Sequence, residues 1–547
     1  MTASSHRSPT KPNRNESLEM TSVTENAYDR LPYVSYPFPQ SHPNHLAALA
    51  KLFGMNPPPL ATCRVLELGC ASGGNLLPMA SQMPDATFLG VDLSTRQITD
   101  GQAIIKQLGV TNIELRQLDI TTIDDAFGKF DYIIAHGVFS WVPKEVQDKI
   151  LEICQRNLAP HGVAFVSYNT YPGWRMRSML RDAMIYHANQ FANPAQRVQQ
   201  ARALLDFLAQ NVPVENNPYG ILLKNELQEL SKRGDWYIAH EHLEGVNEPI
   251  YFHEFAERAV GHRMQYLGEA EFSTMLASNF APRVAETLRM IAPDLIRMEQ
   301  YMDFLRNRPF RQSLLVHQGV ALNRNLGWKS VAGLYVESQV RQEGGDANLN
   351  SGAPVVFKTQ IGASLTTPNP ITKAAMTVLS RNWPRAMQFE ALLKEARALL
   401  DEQGPAATSV APPAPDEQVL GADLLTCFSA NIVNLRAMPW RHATKAGERP
   451  KASALARLQA AQGPTVTNLR HEMANLDESS RHMLQQLDGE RDRAGVLDSL
   501  TELVKSGALS IQQNGQRVTE PAAVREALAA TIDPVLENFE RAALLEE

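Results

Sequence analysis

The stretch Arg64–Ala80, RVLELGCASGGNLLPMA, decides how this chain folds. Apolar residues with one acid, Glu67, read as a buried strand. Glycines at 69, 73 and 74 make a tight turn, and NLLPMASQM (75–83) opens a helix. The same alternation runs outward on both sides. Strands are expected at TFLGVDLS (87–94), IELRQLDI (113–120), FDYIIAHG (130–137) and GVAFVSYNT (162–170). Helices are expected at HLAALAKLFGM (45–55), TRQITDGQAIIKQLG (95–109) and KEVQDKILEICQRNLA (144–159). Short apolar strands separated by helices predict a parallel sheet covered on both faces.

The 547 residues are too many for one core, so several domains are expected. Residues 1–27, rich in Ser, Thr, Asn and Pro, read as a disordered tail without the apolar core of a signal peptide. Residues 28–174 hold the α/β pattern. Residues 175–327 carry apolar residues at helical spacing, as in MRSMLRDAMIYHANQF and PYGILLKNELQELSKRG, and read as an all-α domain. Residues 328–403 read as an α+β, winged-helix-like domain, with strands near SVAGLYVESQV and APVVFKTQ. Residues 404–418 are a Pro/Ala linker. Residues 419–547 end in RAGVLDSLTELVKSGALSIQQNGQRV, whose helix–strand–turn–strand order suggests a C-terminal winged helix.

A net charge of −7 argues against generic nucleic-acid binding. Cys63, Cys70, Cys154 and Cys427 form no CxxC pair, which suits a reducing, cytoplasmic setting. No run of eighteen apolar residues is present, so no membrane span is expected.

The glycine turn fits two cofactor patterns, and both put Ala71 where glycine is usual. A dinucleotide would set its pyrophosphate on the helix N-terminus, where Glu67 would repel it. Glu67 would instead attract the ammonium of an amino-acid moiety, such as S-adenosylmethionine carries. Asp92, ending the next strand beside Leu93, can accept from both ribose hydroxyls. Asp119 can accept from an adenine amino group while Ile120 packs on the ring. Three acids at successive strand ends therefore surround a cationic, phosphate-free nucleoside. Ala71 cannot easily take φ > 0, so the turn is expected to use the β or α region there.

These residues, VLELGCASGG, GVDLS, QLDIT and FDYIIAHGVFSWVP, resemble the class I S-adenosylmethionine-dependent methyltransferases. The resemblance implies a Rossmann-like seven-stranded sheet of order 3-2-1-4-5-7-6. It also implies a cofactor site at Glu67, Gly69, Cys70, Ala71, Gly73, Gly74, Asp92, Leu93, Asp119, Ile120 and His136. Further motifs are similar to a narrower bacterial group that carries a methyltransferase regulatory domain. They are SYPFPQSHP (35–43), YNTYPGW (168–174), the segment from His240 to Phe272 and YMDFLRNRPFRQSLLVH (301–317). RPKASALARLQA (449–460) and VTNLRHEMANLDESSRHMLQQLDG (466–489) resemble the winged-helix end of rickettsial protein lysine methyltransferases. The similarity spans about residues 28–535. It implies methyl transfer to lysine side chains of proteins, outer-membrane proteins in the rickettsial members.

The acceptor itself is not written in the glycine turn. A small-molecule N- or O-methyltransferase and a non-catalytic cofactor-binding regulator remain open alternatives. AHGVFSW (135–141) lacks the [DN]-P-P-[YF] of nucleic-acid amino methyltransferases. His136, Phe139, Trp141, Tyr168, Tyr171 and Trp174 are the candidate acceptor-pocket residues. Tyr33, Tyr36 and Phe38 stand near them in the sheet order. These rings either cage an alkylammonium or pack the seam with the helical region. His240 and His242 stand at i and i+2, not at HExxH spacing, so no metal site is expected. A basic patch at Arg436, Arg441, Lys445, Arg449, Lys451 and Arg457 could meet DNA. The segment holding the recognition helix is acid-balanced, so a protein partner is favoured over nucleic acid.

Overall fold

The computed structural model describes residues 33–345, 348–404, 414–513 and 516–547, without the side chains of 513, 516 and 517. The expected tail at 1–27, most of the Pro/Ala linker and the centre of the QNGQ turn lie outside the described residues.

Seven strands form one mixed sheet. They are β1 (Arg64–Leu68), β2 (Thr87–Asp92), β3 (Ile113–Gln117), β4 (Phe130–Ala135), β5 (Leu158–Asn169), β6 (Met264–Glu269) and β7 (Phe310–His317). Their order is β3-β2-β1-β4-β5-β7-β6. β1 to β5 pair in parallel, and β7 runs antiparallel to both β5 and β6. Successive side chains point to opposite faces. Val65, Tyr132, Ile134, Phe165 and Leu314 pack with the helix Pro43–Leu52 on one side. Leu66, Leu68, Ile133, Ala164 and Val166 pack with the helices Lys144–Asn157 and Phe252–Gly261 on the other. Burial on both faces explains the nearly continuous apolar strands.

The segment expected to be all-α differs in one respect. It is helical from Gly173 to Gly261, with a small core of its own around Leu180, Met184, Leu205 and Leu223. It then supplies β6 and β7, which complete the sheet. Arg311 on β7 fixes this edge. The fully buried guanidinium donates to Glu269 of β6 at 2.9 Å, and to Glu299 at 3.0 Å and Asp303 at 2.7 Å of the helix Leu295–Arg306.

Beyond the sheet, Tyr335–Glu337 pairs with Met387–Gln388 and Asn434–Arg436. The helix Asp416–Ser429 shares a core with the helices Pro370–Asn382 and Phe389–Glu402. The C-terminal core begins only near Ala452. The packing break therefore falls well after the linker, not at 419 as read from the sequence, because Leu420, Leu424, Leu435 and Phe428 bury against the middle unit. The winged helix follows, with the helices Ala454–Gln462, Glu478–Gln486 and Arg493–Lys505 and the hairpin Thr465–Thr467/Met473–Asn475. Among the described residues no helix is long and apolar enough to cross a membrane.

Candidate active site

A cavity of about 400 Å³ opens where β1, β2 and β4 end and their loops begin. Glu67, Gly69, Cys70, Ala71, Asp92, Leu93, Asp119, Ile120, His136 and Trp141 line it, so the sheet gathers residues drawn from four separate strand ends. Gly73 and Gly74 do not line it. They shape the turn behind it, where a Cβ on Gly74 would meet the Ser35 backbone at 2.4 Å. Gly69 takes φ +72°, and a Cβ there would lie 2.3 Å from Val138.

Ala71 corrects the sequence expectation. Its φ is +49°, in the left-handed region, rather than β or right-handed α. That geometry costs a non-glycine residue about 1–2 kcal/mol. It places the Ala71 N–H 2.8 Å from Asp92 Oδ2, a charge-assisted hydrogen bond that offsets the cost. Asp92 Oδ1 accepts from Ser94 N–H at 2.9 Å. The acid thus ties the glycine turn to the next loop, and a carboxylate has further lone-pair sites for ligand hydroxyls. Asp119 is exposed. Its Oδ1 accepts from the amide and hydroxyl of Thr121, both at 2.8 Å.

Glu67 is buried. Asn75 donates to its Oε1 at 2.7 Å, and its Oε2 has no partner among the described residues. Burial pushes this carboxyl up to about 8; the Asn75 hydrogen bond works against the shift, and nearby Asp92 adds to it. A buried carboxylate oxygen left without a partner costs free energy that a cationic ligand would recover. His136 is held near 4 by burial, so it is a neutral imidazole at physiological pH. Its Nδ1 lies 3.0 Å from Ser167 Oγ, and the Phe38 ring stands 3.8 Å from its own.

Several acceptor-pocket candidates sit elsewhere. Phe139 and Tyr168 are fully buried and do not line the cavity. Tyr168 stacks on Phe255 at 4.1 Å and pairs its hydroxyl with Ser313, while Phe139 meets Phe255 edge-on. They pack against the helix Phe252–Gly261, the seam with the helical region that the sequence left open for these rings. Trp174 is buried too, and it buttresses Trp141 edge-on at 6.2 Å. Tyr171 lies between Tyr251 and Arg175, outside the cavity lining.

The lining also takes in residues ahead of the sheet, of which the sequence marks the Tyr33 and Phe38 rings but not the Ser35 hydroxyl. Tyr33, Ser35 and Phe38 form a strap over the cavity, held by Gln97 donating to the Tyr33 carbonyl at 2.9 Å and Gly74 N–H donating to Ser35 Oγ at 2.8 Å. Of the three rings before the sheet, Tyr33 and Phe38 line the cavity and Tyr36 does not. Tyr33 meets Trp236 edge-on at 5.0 Å, and the helix Asp235–His242 adds His240 and Glu241 to the lining. Burial raises the Glu241 carboxyl to about 7, although Arg177 and Arg233 oppose this. Asn75, inside the decisive stretch, also lines the cavity, and nothing local marks it, because its partners Glu67, Ser41 and Phe38 meet it only in the fold. Among the described residues no group of three or more His, Cys, Asp or Glu side chains is arranged for a metal ion. Arg441, Lys445, Arg449 and Lys451 of the basic patch line a separate open groove of about 690 Å³, whereas Arg436 is buried against Glu337.

Three known domain families match this chain. Residues 60–233 match a methyltransferase domain, 234–317 a "Predicted methyltransferase regulatory domain", and 448–544 the "PKMT, C-terminal winged helix domain". An uncharacterized protein of Rickettsia prowazekii (RP789) is 37% identical over 535 residues, covering 96% of this chain and 94% of its own length. A second uncharacterized protein of that organism (RP028) is 43% identical over 233 residues, covering 43% of this chain and 93% of its own length. The solved structure of PKMT2 from Rickettsia typhi in complex with AdoHcy superposes with a TM-score of 0.83 at 33% identity. It covers 94% of this chain and 100% of the other.

Proposed function

This chain belongs to the family of S-adenosylmethionine-dependent methyltransferases that join a methyltransferase domain to a regulatory domain and a PKMT-type winged helix, and on that premise we propose that it methylates lysine side chains of protein substrates. The chain's own residues fit the cofactor. The partnerless Glu67 Oε2 suits an ammonium, Asp92 suits the ribose hydroxyls, and Asp119 with Ile120 suits the adenine. When bound, S-adenosylmethionine supplies an electrophilic methyl on a sulfonium. The remaining work is to align a nucleophile and take away its proton.

The observation that carries an amine acceptor is Glu241. It is a cavity-lining carboxyl held near 7, with Tyr33 close by and the rings of Phe38 and Trp141 lining the same cavity. A lysine ammonium reaching this position gives its proton to Glu241, and its lone pair is then free to attack the methyl carbon as the carbon–sulfur bond breaks. Aromatic faces favour the approaching cation. Tyr33 and the neutral His136 line the same cavity and add no cation to it. A protein-sized acceptor is supported by exposed apolar side chains on the helices Gly173–Ala188 and Leu295–Arg306 and on β7. Met176, Met179, Phe304 and Leu305 are exposed, and the partly exposed Phe310 touches His136 edge-on at 6.2 Å. The PKMT name of the Rickettsia typhi structure agrees with lysine as the acceptor.

The test is to incubate the chain with tritiated S-adenosylmethionine and a cell-envelope extract, then hydrolyse the labelled protein. The expected result is label in methylated lysine. Label confined to small molecules would contradict the proposal and favour a small-molecule acceptor. Cofactor binding without any transfer would favour a regulator. Glu241→Gln should lower kcat about 100-fold at pH 7, as loss of a positioned base does. The deficit should shrink at pH 9 and above, where lysine itself begins to deprotonate. Cofactor affinity, read by calorimetry, should stay within about twofold. An unchanged kcat would remove Glu241 from this role.

A further inference from the structure

The winged-helix segment meets a cavity-lining residue, Asn75, through one side chain. The hairpin Thr465–Thr467/Met473–Asn475 carries the loop Asn468–Glu472, which is closed on itself. Asn468 Oδ1 accepts the amides of Arg470 and Glu472, and Leu469 N–H bonds the Ala543 carbonyl. Arg470 anchors the loop in the middle unit. It is buried and donates to Glu337 at 2.9 Å and to the Pro384 carbonyl at 3.1 Å. His471 follows, fully buried, with φ +62°. A non-glycine residue in that region is held there by its surroundings, and such strain concentrates at functional positions.

The His471 Nε2 lies 2.9 Å from Asn75 Oδ1. Chemistry fixes the direction of this bond. The Phe38 N–H, which can only donate, also meets Asn75 Oδ1 at 2.9 Å, so that atom is the amide oxygen. The Asn75 amide nitrogen therefore faces Glu67, to which it donates at 2.7 Å, and Ser41 Oγ at 3.0 Å. His471 must then carry its proton on Nε2 and donate. Burial holds this imidazole near 3, partly opposed by Glu472 and aided by Arg436, so it is neutral and has a single N–H. A directed chain results, from His471 through Asn75 to the Glu67 carboxyl. Each donor in such a chain polarises the next. A separation of 396 positions makes this a tertiary contact that joins the glycine-turn region to the C-terminal unit.

We propose that His471 is a positioning residue for the cofactor site, holding Asn75 against Glu67, so that docking of the winged-helix segment and binding of the cofactor are thermodynamically coupled. The inference rests on the reading of the cavity as the S-adenosylmethionine site. By reciprocity, whatever loosens the hairpin weakens the cofactor, and the cofactor tightens the hairpin. The charged and titratable groups around the chain are few. Asp92 stands near Glu67, while His42, Arg436 and Glu472 stand near His471. His42 packs edge-on against both His471 and Trp440 at 4.9 Å, filling the space behind the loop.

The experiment compares His471→Gln with His471→Met in the full chain. The two side chains have nearly the same shape, but only glutamine has an N–H where the imidazole Nε2–H stands. S-adenosylmethionine affinity is measured by calorimetry from pH 6 to 8, with melting curves as a fold check. The expected result is a five- to twentyfold weaker affinity for His471→Met and a dependence on pH displaced upward. His471→Gln should remain within about threefold of the parent, each tenfold being about 1.4 kcal/mol. Equal affinities for the two variants would overturn the proposal. A measurement on the unaltered chain keeps it testable if neither variant folds. Hydrogen exchange of residues 468–473 should slow when S-adenosylhomocysteine is added, and unchanged exchange would overturn the coupling. Asp92→Ala separates the two failures. If it weakens the cofactor while His471→Met does not, only the positioning role falls. If neither weakens it, the cavity assignment falls.

Discussion

Replacing Asp92 with alanine should raise the dissociation constant for S-adenosylmethionine about 100-fold. The reasoning starts from the side chain's double duty. It receives the Ala71 and Ser94 amides, and so holds the glycine turn in its left-handed kink. It also lines the cavity at the end of β2, where a ribose would lie. Each charge-assisted hydrogen bond lost with a ligand hydroxyl is worth about 1.5–3 kcal/mol. Two partly compensated losses come to about 3 kcal/mol, or about two decades in affinity. Asp92→Asn should fall between, because its amide oxygen still accepts one amide but carries no charge. Calorimetric titration of both variants reads the effect, and unchanged affinity in Asp92→Ala would refute the cofactor assignment.

The largest loss of stability is expected at Arg311. This one guanidinium meets three fully buried carboxyls, Glu269, Glu299 and Asp303, and stacks over Phe252 at 3.7 Å. Burial alone would raise Glu269, but Arg311 and Arg308 overcome it and hold that carboxyl below its usual range. Arg311→Met keeps much of the volume and removes the charge. Breaking a buried ion pair by deleting one partner costs about 3–5 kcal/mol. The sheet edge β5–β7–β6 and the helix Leu295–Arg306 should therefore loosen together, read as a lower midpoint in urea. The pH dependence has a definite sign. In the parent, the lowered Glu269 contributes stability above its unfolded value that is lost as pH falls. In the variant, the stranded carboxyls titrate above their unfolded values and cost stability as pH rises. Both effects make the difference smaller at pH 5 than at pH 8. A loss under about 1 kcal/mol at pH 8 would show that Arg308 alone can hold the three acids.

The sheet from β1 to β5 was legible because each strand is a short apolar run cut off by a helix, and burial on two faces demands that pattern. The strands β6 and β7 were less so. RMQYLGE and FRQSLLVH are separated by helices, and β7 carries Arg311, whose charge is satisfied by Glu269 of β6 and by Glu299 and Asp303 of the preceding helix only once these pack together. Glu67, Asp92 and Asp119 could be read as a set because they end successive strands. Ala71 was misread because local propensity disfavours φ > 0, whereas the Asp92 hydrogen bond, made across 21 residues, overrides it. For Phe139 and Tyr168 the sequence leaves cage and seam open, because aromatic rings near a strand end look alike in sequence. Which face they occupy depends on packing against Phe255. Glu241 is legible only as part of the polar cluster with His240 and His242, facing a domain interface or the acceptor channel, and His471 only within a resembling segment, since each is brought to the cavity region by a different part of the chain.

The account turns on Glu67 as the group that receives the cofactor's ammonium. In the free chain its carboxyl stands near 8, so at pH 7 it is mostly protonated. An ammonium against its partnerless oxygen favours the ionised form, so binding at pH 7 must release a proton. Affinity should rise from pH 6 towards 8, by up to about tenfold per pH unit, and turn over above that as the ligand's own ammonium loses its proton. Calorimetry of S-adenosylmethionine binding across this range, in buffers of different ionisation enthalpy, measures both quantities. The predicted result is a rising affinity with proton release in the parent chain and neither in Glu67→Gln. A flat profile without proton release in the parent would contradict the account.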